Sequence, residues 1–289
     1  MPTPDAETRR KVLLTPRELH DMLLGPEPPV VIAVQSVNPY TGVSSRSGKW
    51  IPGAVEVDAY RDFAAPASTE LGQRPLPHVA ALQAAARRWG VRHDRPVVLY
   101  DAERTMTSAR SWWVLRWAGI SDVRVLDGGL DAWEKAGLPV SEVAGSNEET
   151  CISLSPGHMP ELDATAALNL AGDVPGVLLD ARIRPNYIGG SPDEGDPKRG
   201  HIPGALSAPA PDNFTDEGPI TDGATLAEMY RGLGATEGAP VGVYCGAGMS
   251  AAVTVLALAS IGVEAAMYVG SWSQYVQDPA RPVRRGPFP

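Results

Sequence analysis

VVLYDAERTMTSARSWWVLRWAG (residues 97–119) and VGVYCGAGMSAAVTVLALASIG (residues 241–262) decide the fold when set side by side. Each begins with a short apolar, strand-like run, passes through a turn, and continues into a helix-patterned segment that stops at glycine, Gly119 in one and Gly262 in the other. Outward from them the neighbouring segments match as well. PVVIAV (29–34), WIPGAVEVD (50–58) and VRVLDGGLDAW (123–133) surround the first; VLLDAR (177–182), HIPGALSAP (201–209) and AAMYVGSWSQY (265–275) surround the second. The features recur in one order, so the chain is an internal duplication, and that fixes the architecture before any single element is assigned.

Within each half, β-branched runs alternate with helical patterns such as LPHVAALQAAARRWG (76–90) and TLAEMYRGLG (225–234). Strands alternating with helices imply βαβ units, hence an α/β fold with a mainly parallel sheet covered on both faces in each of two tandem domains. Gly90, Gly119, Gly234 and Gly262 stand where helix C-caps are expected. Between the halves, EVAGSNEETCISLSPGHMPEL (142–162) is rich in Gly, Ser, Pro and Glu and has no clear period. The reading is a first domain over 1–145, a linker over 146–162 and a second domain over 163–289.

Composition narrows the function. The 289 residues are 43% hydrophobic, enough for a sizeable core and the length of about two domains. A formal charge of −9 argues against a grip on nucleic acid or anionic lipid, which needs a basic footprint. The apolar runs are too short to span a bilayer, and the N-terminus lacks the apolar core of a secretory signal, so a cytoplasmic location is expected. Two cysteines, Cys151 and Cys245, make neither a disulfide framework nor a four-thiolate zinc site, and no metal centre is expected.

Cys245 is the residue that carries chemistry. A strand ends on it, a loop with Gly246 and Gly248 follows, and a helix starts near Ser250. Glycines permit the positive φ that turns successive N–H groups inward as an anion-binding nest. The helix adds unpaired N–H groups and the positive end of its dipole. Such surroundings favour thiolate, the form that attacks, and suit the outer sulfur of a persulfide or an anionic donor. Ser250 is placed to cap the helix or to hydrogen-bond that sulfur. The competing reading is a cysteine buried at the end of a core strand beside a plain turn. The duplication weighs against it: where the second half reads VYC the first reads LYD, with Asp101 at the position of Cys245 and a longer loop without glycine.

HIPGA paired with a strand-end cysteine loop, repeated in tandem over nearly the whole chain, resembles the rhodanese superfamily, specifically the two-domain thiosulfate and 3-mercaptopyruvate sulfurtransferases. The resemblance implies two tandem rhodanese-like domains, an inactive first copy and a catalytic second copy whose Cys245 cycles between thiol and persulfide. The six residues from Cys245 to Ser250 are the length used by sulfurtransferases; related phosphatases use a longer loop. By the same resemblance Asp180 braces the active loop and Arg182 lies near substrate, both at the strand edge where open α/β sheets place their sites. The family's second arginine, four residues after the first, is Asn186 here, so Arg184, Lys198 or Arg199 is left to supply the charge.

The loop residues Gly246, Ala247, Gly248 and Met249 would bind substrate through their amides. Thiosulfate-specific relatives place two cations directly after the cysteine, whereas Gly246 and Ala247 look more like the 3-mercaptopyruvate branch. That branch clamps its carboxylate with the arginine that Asn186 replaces, so the two indicators disagree. From the first domain, Asp58 fits an interface aspartate, and Arg74 stands where the family has a histidine; His78 reads as a surface helix residue. His201 and Trp50 occupy equivalent positions and read as structural, as does Trp272.

The expected reaction is double displacement: Cys245 takes sulfane sulfur from a small anionic donor and passes it to a thiol, cyanide or protein cysteine, with no metal or organic cofactor. One rival is a degenerate pair that binds sulfur or regulates without catalysing; another is a phosphatase or arsenate reductase, disfavoured by the short loop without arginine.

Overall fold

In the computed structural model, residues 6–37, 42, 44–45, 47–172, 175–190 and 199–289 are described. Strands β1 (Leu13–Leu14), β2 (Val30–Gln35), β3 (Val55–Asp58), β4 (Val97–Tyr100) and β5 (Val123–Leu126) form one sheet in the order β1-β5-β4-β2-β3. Strands β6 (Glu161–Leu162), β7 (Val177–Asp180), β8 (Leu206–Ser207), β9 (Val241–Tyr244) and β10 (Ala266–Tyr268) form a second in the equivalent order β6-β10-β9-β7-β8. Every ladder in both sheets is parallel. Strands β2, β4, β7 and β9 are buried along their whole length, as their largely apolar sequences require when helices cover both faces.

The repeat extends to single hydrogen bonds. Tyr100 Oη accepts from the Ile51 N–H at 3.0 Å, and Tyr244 Oη accepts from the Ile202 N–H at 3.1 Å. In each half the tyrosine before the loop therefore pins the IPGA turn, whose glycines have φ of +81° (Gly53) and +85° (Gly204). Gly90, Gly119, Gly234 and Gly262 all adopt positive φ just beyond helix ends. The two-residue edge strands β1 and β6 were not foreseen; a dipeptide carries no readable period.

The domains meet through equivalent helices. Met106–Trp117 follows β4, Ser250–Ala259 follows β9, and the two pack on one another. This explains why both are buried nearly all round: one face covers the parent sheet and the other faces the opposite helix. A single hydrophobic cluster consequently runs through both domains, from Val30 and Leu99 through Trp112, Trp113 and Val253 to Leu179 and Val243. The stretch read as a linker is laced onto the first domain: Thr150 N–H donates to Arg87 O, Leu154 N–H to Gln83 Oε1 and Ser155 N–H to Ala118 O. Its last two residues enter the second sheet as β6. Among the described residues no helix is long and apolar enough to cross a membrane.

Candidate active site

Cys245 follows β9 directly and is 2% exposed. Three bonds fix it. Its N–H donates to Ser271 Oγ (3.2 Å), its carbonyl accepts from the Trp272 N–H (2.9 Å), and Sγ accepts from the Gly248 N–H (3.1 Å). Of the two loop glycines only Gly248 uses its freedom, with φ of +79°; a Cβ there would lie 2.9 Å from Val269 O. Gly246 needs none: its φ is not positive and a Cβ would meet nothing within 4 Å. Among the described residues, the N–H groups of Gly246, Ala247, Met249 and Ser250 have no protein acceptor.

Beside the loop lies a cleft of about 870 Å³. Its second-domain wall includes Gly246, Arg182, Asn186, Arg199, Trp272 and Ser273; its first-domain wall runs through Ala67–Thr69, Gly72 and Gln73. The walls are tied by the Gln73 N–H to Ser273 Oγ (3.0 Å) and Gln274 Nε2 to Glu70 O (2.7 Å).

Several expected residues sit differently from the sequence reading. Asp180 is fully buried, and its carboxylate accepts from Arg182 Nε (2.9 Å), Nη2 (2.5 Å) and N–H (3.0 Å). Arg182 also donates Nη2 to Gly200 O (2.7 Å) and lies 4.4 Å over the Trp272 ring. Burial pulls its guanidinium down, but hydrogen bonding and charge from Asp180 outweigh this and hold it above its usual value. Arg182 lines the cleft as half of a buried ion pair, and is less available to substrate than a free cation would be. Ser250 neither caps the helix nor touches the sulfur: Met249 holds the N-cap position, and the Ser250 hydroxyl donates to Met106 Sδ across the domain interface (3.8 Å).

Arg184 is exposed and does not line the cleft, whereas Arg199 does, near Asn186; Lys198 lies outside the described residues. Ala247 and Met249 are buried. Asp58 caps the short helix Ala59–Asp62 by accepting from the Tyr60 and Arg61 N–H groups. Arg74 lies over the Tyr60 ring at 4.7 Å, and the exposed His78 precedes a helix without capping it. His201 is fully buried, stacked on Tyr187 at 3.8 Å, and burial lowers its pKa; the position has the structural character expected for it and for Trp50.

Two residues near Cys245 escaped the sequence reading. Ser271 has φ of +52°, unusual outside glycine, and is fully buried; its hydroxyl accepts from Cys245 N–H and donates to Tyr268 O at 2.8 Å. The signal was in the repeat, since the first half has Gly129, also with positive φ, at that position. The other is Arg110, whose Nη1 lies 3.1 Å from where a Gly248 Cβ would be. It is 2% exposed, and its Nη2 donates to Arg74 O at 3.1 Å. Burial pushes its guanidinium down to about 10, so it remains a cation at neutral pH. An arginine before two tryptophans, in a helix whose counterpart SAAVTVLALA has no charge, was the available clue.

Comparison with known proteins agrees with the repeat. The rhodanese-like domain family matches twice, over residues 15–136 and 163–278. A Mycobacterium tuberculosis protein named "Putative thiosulfate sulfurtransferase SseB" is 39% identical, covering 97% of this chain and 99% of its own length. The 3-mercaptopyruvate sulfurtransferase of Escherichia coli is 32% identical over 78% of this chain and 79% of its own. Among solved structures, the crystal structure of YnjE superimposes with a TM-score of 0.77 at 25% identity, covering 96% of this chain and 68% of that one.

Proposed function

Because this chain belongs to the rhodanese family and carries its domain twice, we propose that this sulfurtransferase works by double displacement through a persulfide on Cys245, with 3-mercaptopyruvate the preferred donor and thiosulfate the second. One observation carries the reading. The Cys245 sulfur is anchored by one amide, Gly248 N–H, while four neighbouring amides remain unspent beside an open cleft. A sulfur added to Cys245 would bring an anion toward donors with no other partner.

In the first step Cys245 thiolate attacks the sulfane sulfur and forms an S–S bond. The donor's C–S bond breaks with its electron pair left on carbon, giving the pyruvate enolate, which takes a proton; from thiosulfate the S–S bond breaks and sulfite leaves. In the second step an acceptor thiolate or cyanide attacks the outer sulfur and returns Cys245 as thiolate. Electrons balance within sulfur and the leaving group, so the scheme uses no cofactor. The uncharged Gly246 and Ala247 disfavour a dianion beside the cysteine, while Arg199 on the cleft wall offers a carboxylate partner in place of the arginine that Asn186 replaces.

Thiocyanate formation from each donor, with wild type and Cys245→Ala, tests the reading, together with mass detection of one added sulfur on donor-treated protein. The proposal expects persulfide on Cys245 and ping-pong kinetics. Full activity in Cys245→Ala would sink it. Absence of turnover with every donor would favour a binding or regulatory pair instead.

A further inference from the structure

We propose that Arg110 of the first domain is the counter-ion of the sulfur anion in the second, a positioning residue that acts across the domain interface to hold Cys245 in its charged form. This rests on Cys245 being the sulfur carrier. Arg110 projects from the Met106–Trp117 helix, the one packed on the helix that follows the Cys245 loop. Its Nη2 is used by Arg74 O, but among the described residues Nε and Nη1 have no hydrogen-bond partner. Nη1 lies against Gly248, the residue whose N–H holds the sulfur. One of the two unsatisfied donors, Nη1, thus lies beside the nest.

A buried guanidinium without a carboxylate is costly, and proteins tolerate such a charge where an opposite one offsets it. Among the described residues, the titratable groups that bear on Arg110 are Cys245, Arg74 and Glu161. Arg74 carries the same sign. Glu161 is exposed and already accepts from Trp117 Nε1 at 2.6 Å. That leaves the Cys245 sulfur as the buried group beside the same loop that can take up negative charge, bare or carrying a second sulfur. Arginine suits the position better than lysine, because the same desolvation would bring a lysine close to neutrality.

The test is the pH dependence of Cys245 alkylation by iodoacetamide, in a Cys151→Ser background because Cys151 is exposed. Removing the charge in Arg110→Met should raise the midpoint by about one pH unit, the scale expected for loss of a nearby opposite charge. Arg110→Gln, which keeps a donor for Arg74 O but no charge, should shift it as Met does. Should Arg110→Met fail to fold, the Gln variant decides: an unmoved midpoint in the folded Arg110→Gln protein overturns the proposal and leaves Arg110 a structural donor. Alkylation needs no sulfur donor, so failure of every donor to load Cys245 would strike the sulfurtransferase reading while this midpoint still tests the counter-ion.

Discussion

The Asp101 loop and the Cys245 loop both leave the middle strand of a parallel sheet and enter equivalent helices, yet they treat an anion in opposite ways. Asp101 fills its own nest. Its carboxylate accepts from the N–H groups of Glu103 (3.0 Å), Thr105 (2.9 Å), Thr107 (2.9 Å) and Ser108 (2.8 Å), and from Thr107 Oγ1 (3.0 Å). Those bonds sustain left-handed backbone at Arg104 and Thr105, strain of roughly 1–3 kcal/mol each. The Cys245 loop uses glycine for its left-handed residue and commits one amide to the sulfur. A nest closed by its own side chain is architecture; a nest left partly open beside a cleft can hold something that comes and goes.

The largest effect tests that difference directly. Cys245→Ala should lose all sulfur transfer while its melting temperature stays near wild type, and adding Asp101→Cys to it should restore none, because loop geometry as well as the nucleophile is required. Recovery of thiocyanate formation in the double variant would break the comparison. Next, Asp101→Ala leaves buried amides unpaired and should cost about 3 kcal/mol in urea unfolding; an unchanged midpoint would mean the carboxylate is not structural. Gly248→Ala places a Cβ against Val269 O in left-handed backbone. It should lose about 1–2 kcal/mol of stability and roughly tenfold in turnover.

Smaller effects sharpen the comparison. Ser271→Ala removes the acceptor for Cys245 N–H and should cost about 1 kcal/mol, lowering turnover more than substrate affinity. Ser271→Gly relieves the strained backbone but loses the same acceptor, so its turnover should fall likewise. Smallest is Gly246→Lys. Its side chain enters open cleft space and should raise thiosulfate turnover relative to 3-mercaptopyruvate a few-fold.

Much of the fold was legible because it was written twice. The repeated strands, the glycine caps and the IPGA turns recur at matching places, and the replacement of cysteine by Asp101 was visible without coordinates. Contacts between distant segments were not. Arg182 in DAR reads as an arginine near substrate, yet its planar fork closes on Asp180 two residues away and stacks on Trp272 from another element. Ser250 reads as a cap, but the chain enters the helix one residue earlier, and the domain interface gives its hydroxyl Met106. Arg110 is one of two arginines in the helical stretch SARSWWVLRWAG; only the packing of that helix between two domains makes it a buried charge.

The wall formed by residues 67–73 divides responsibility inside the molecule. In the proposed reaction sulfur is handled by one copy of the duplicated unit, while part of the cleft beside its loop is lined by the other. Substitutions in that wall can retune the entrance without altering the loop that holds Cys245, so the copy with Asp101 at the cysteine position is free to diverge as a selectivity element.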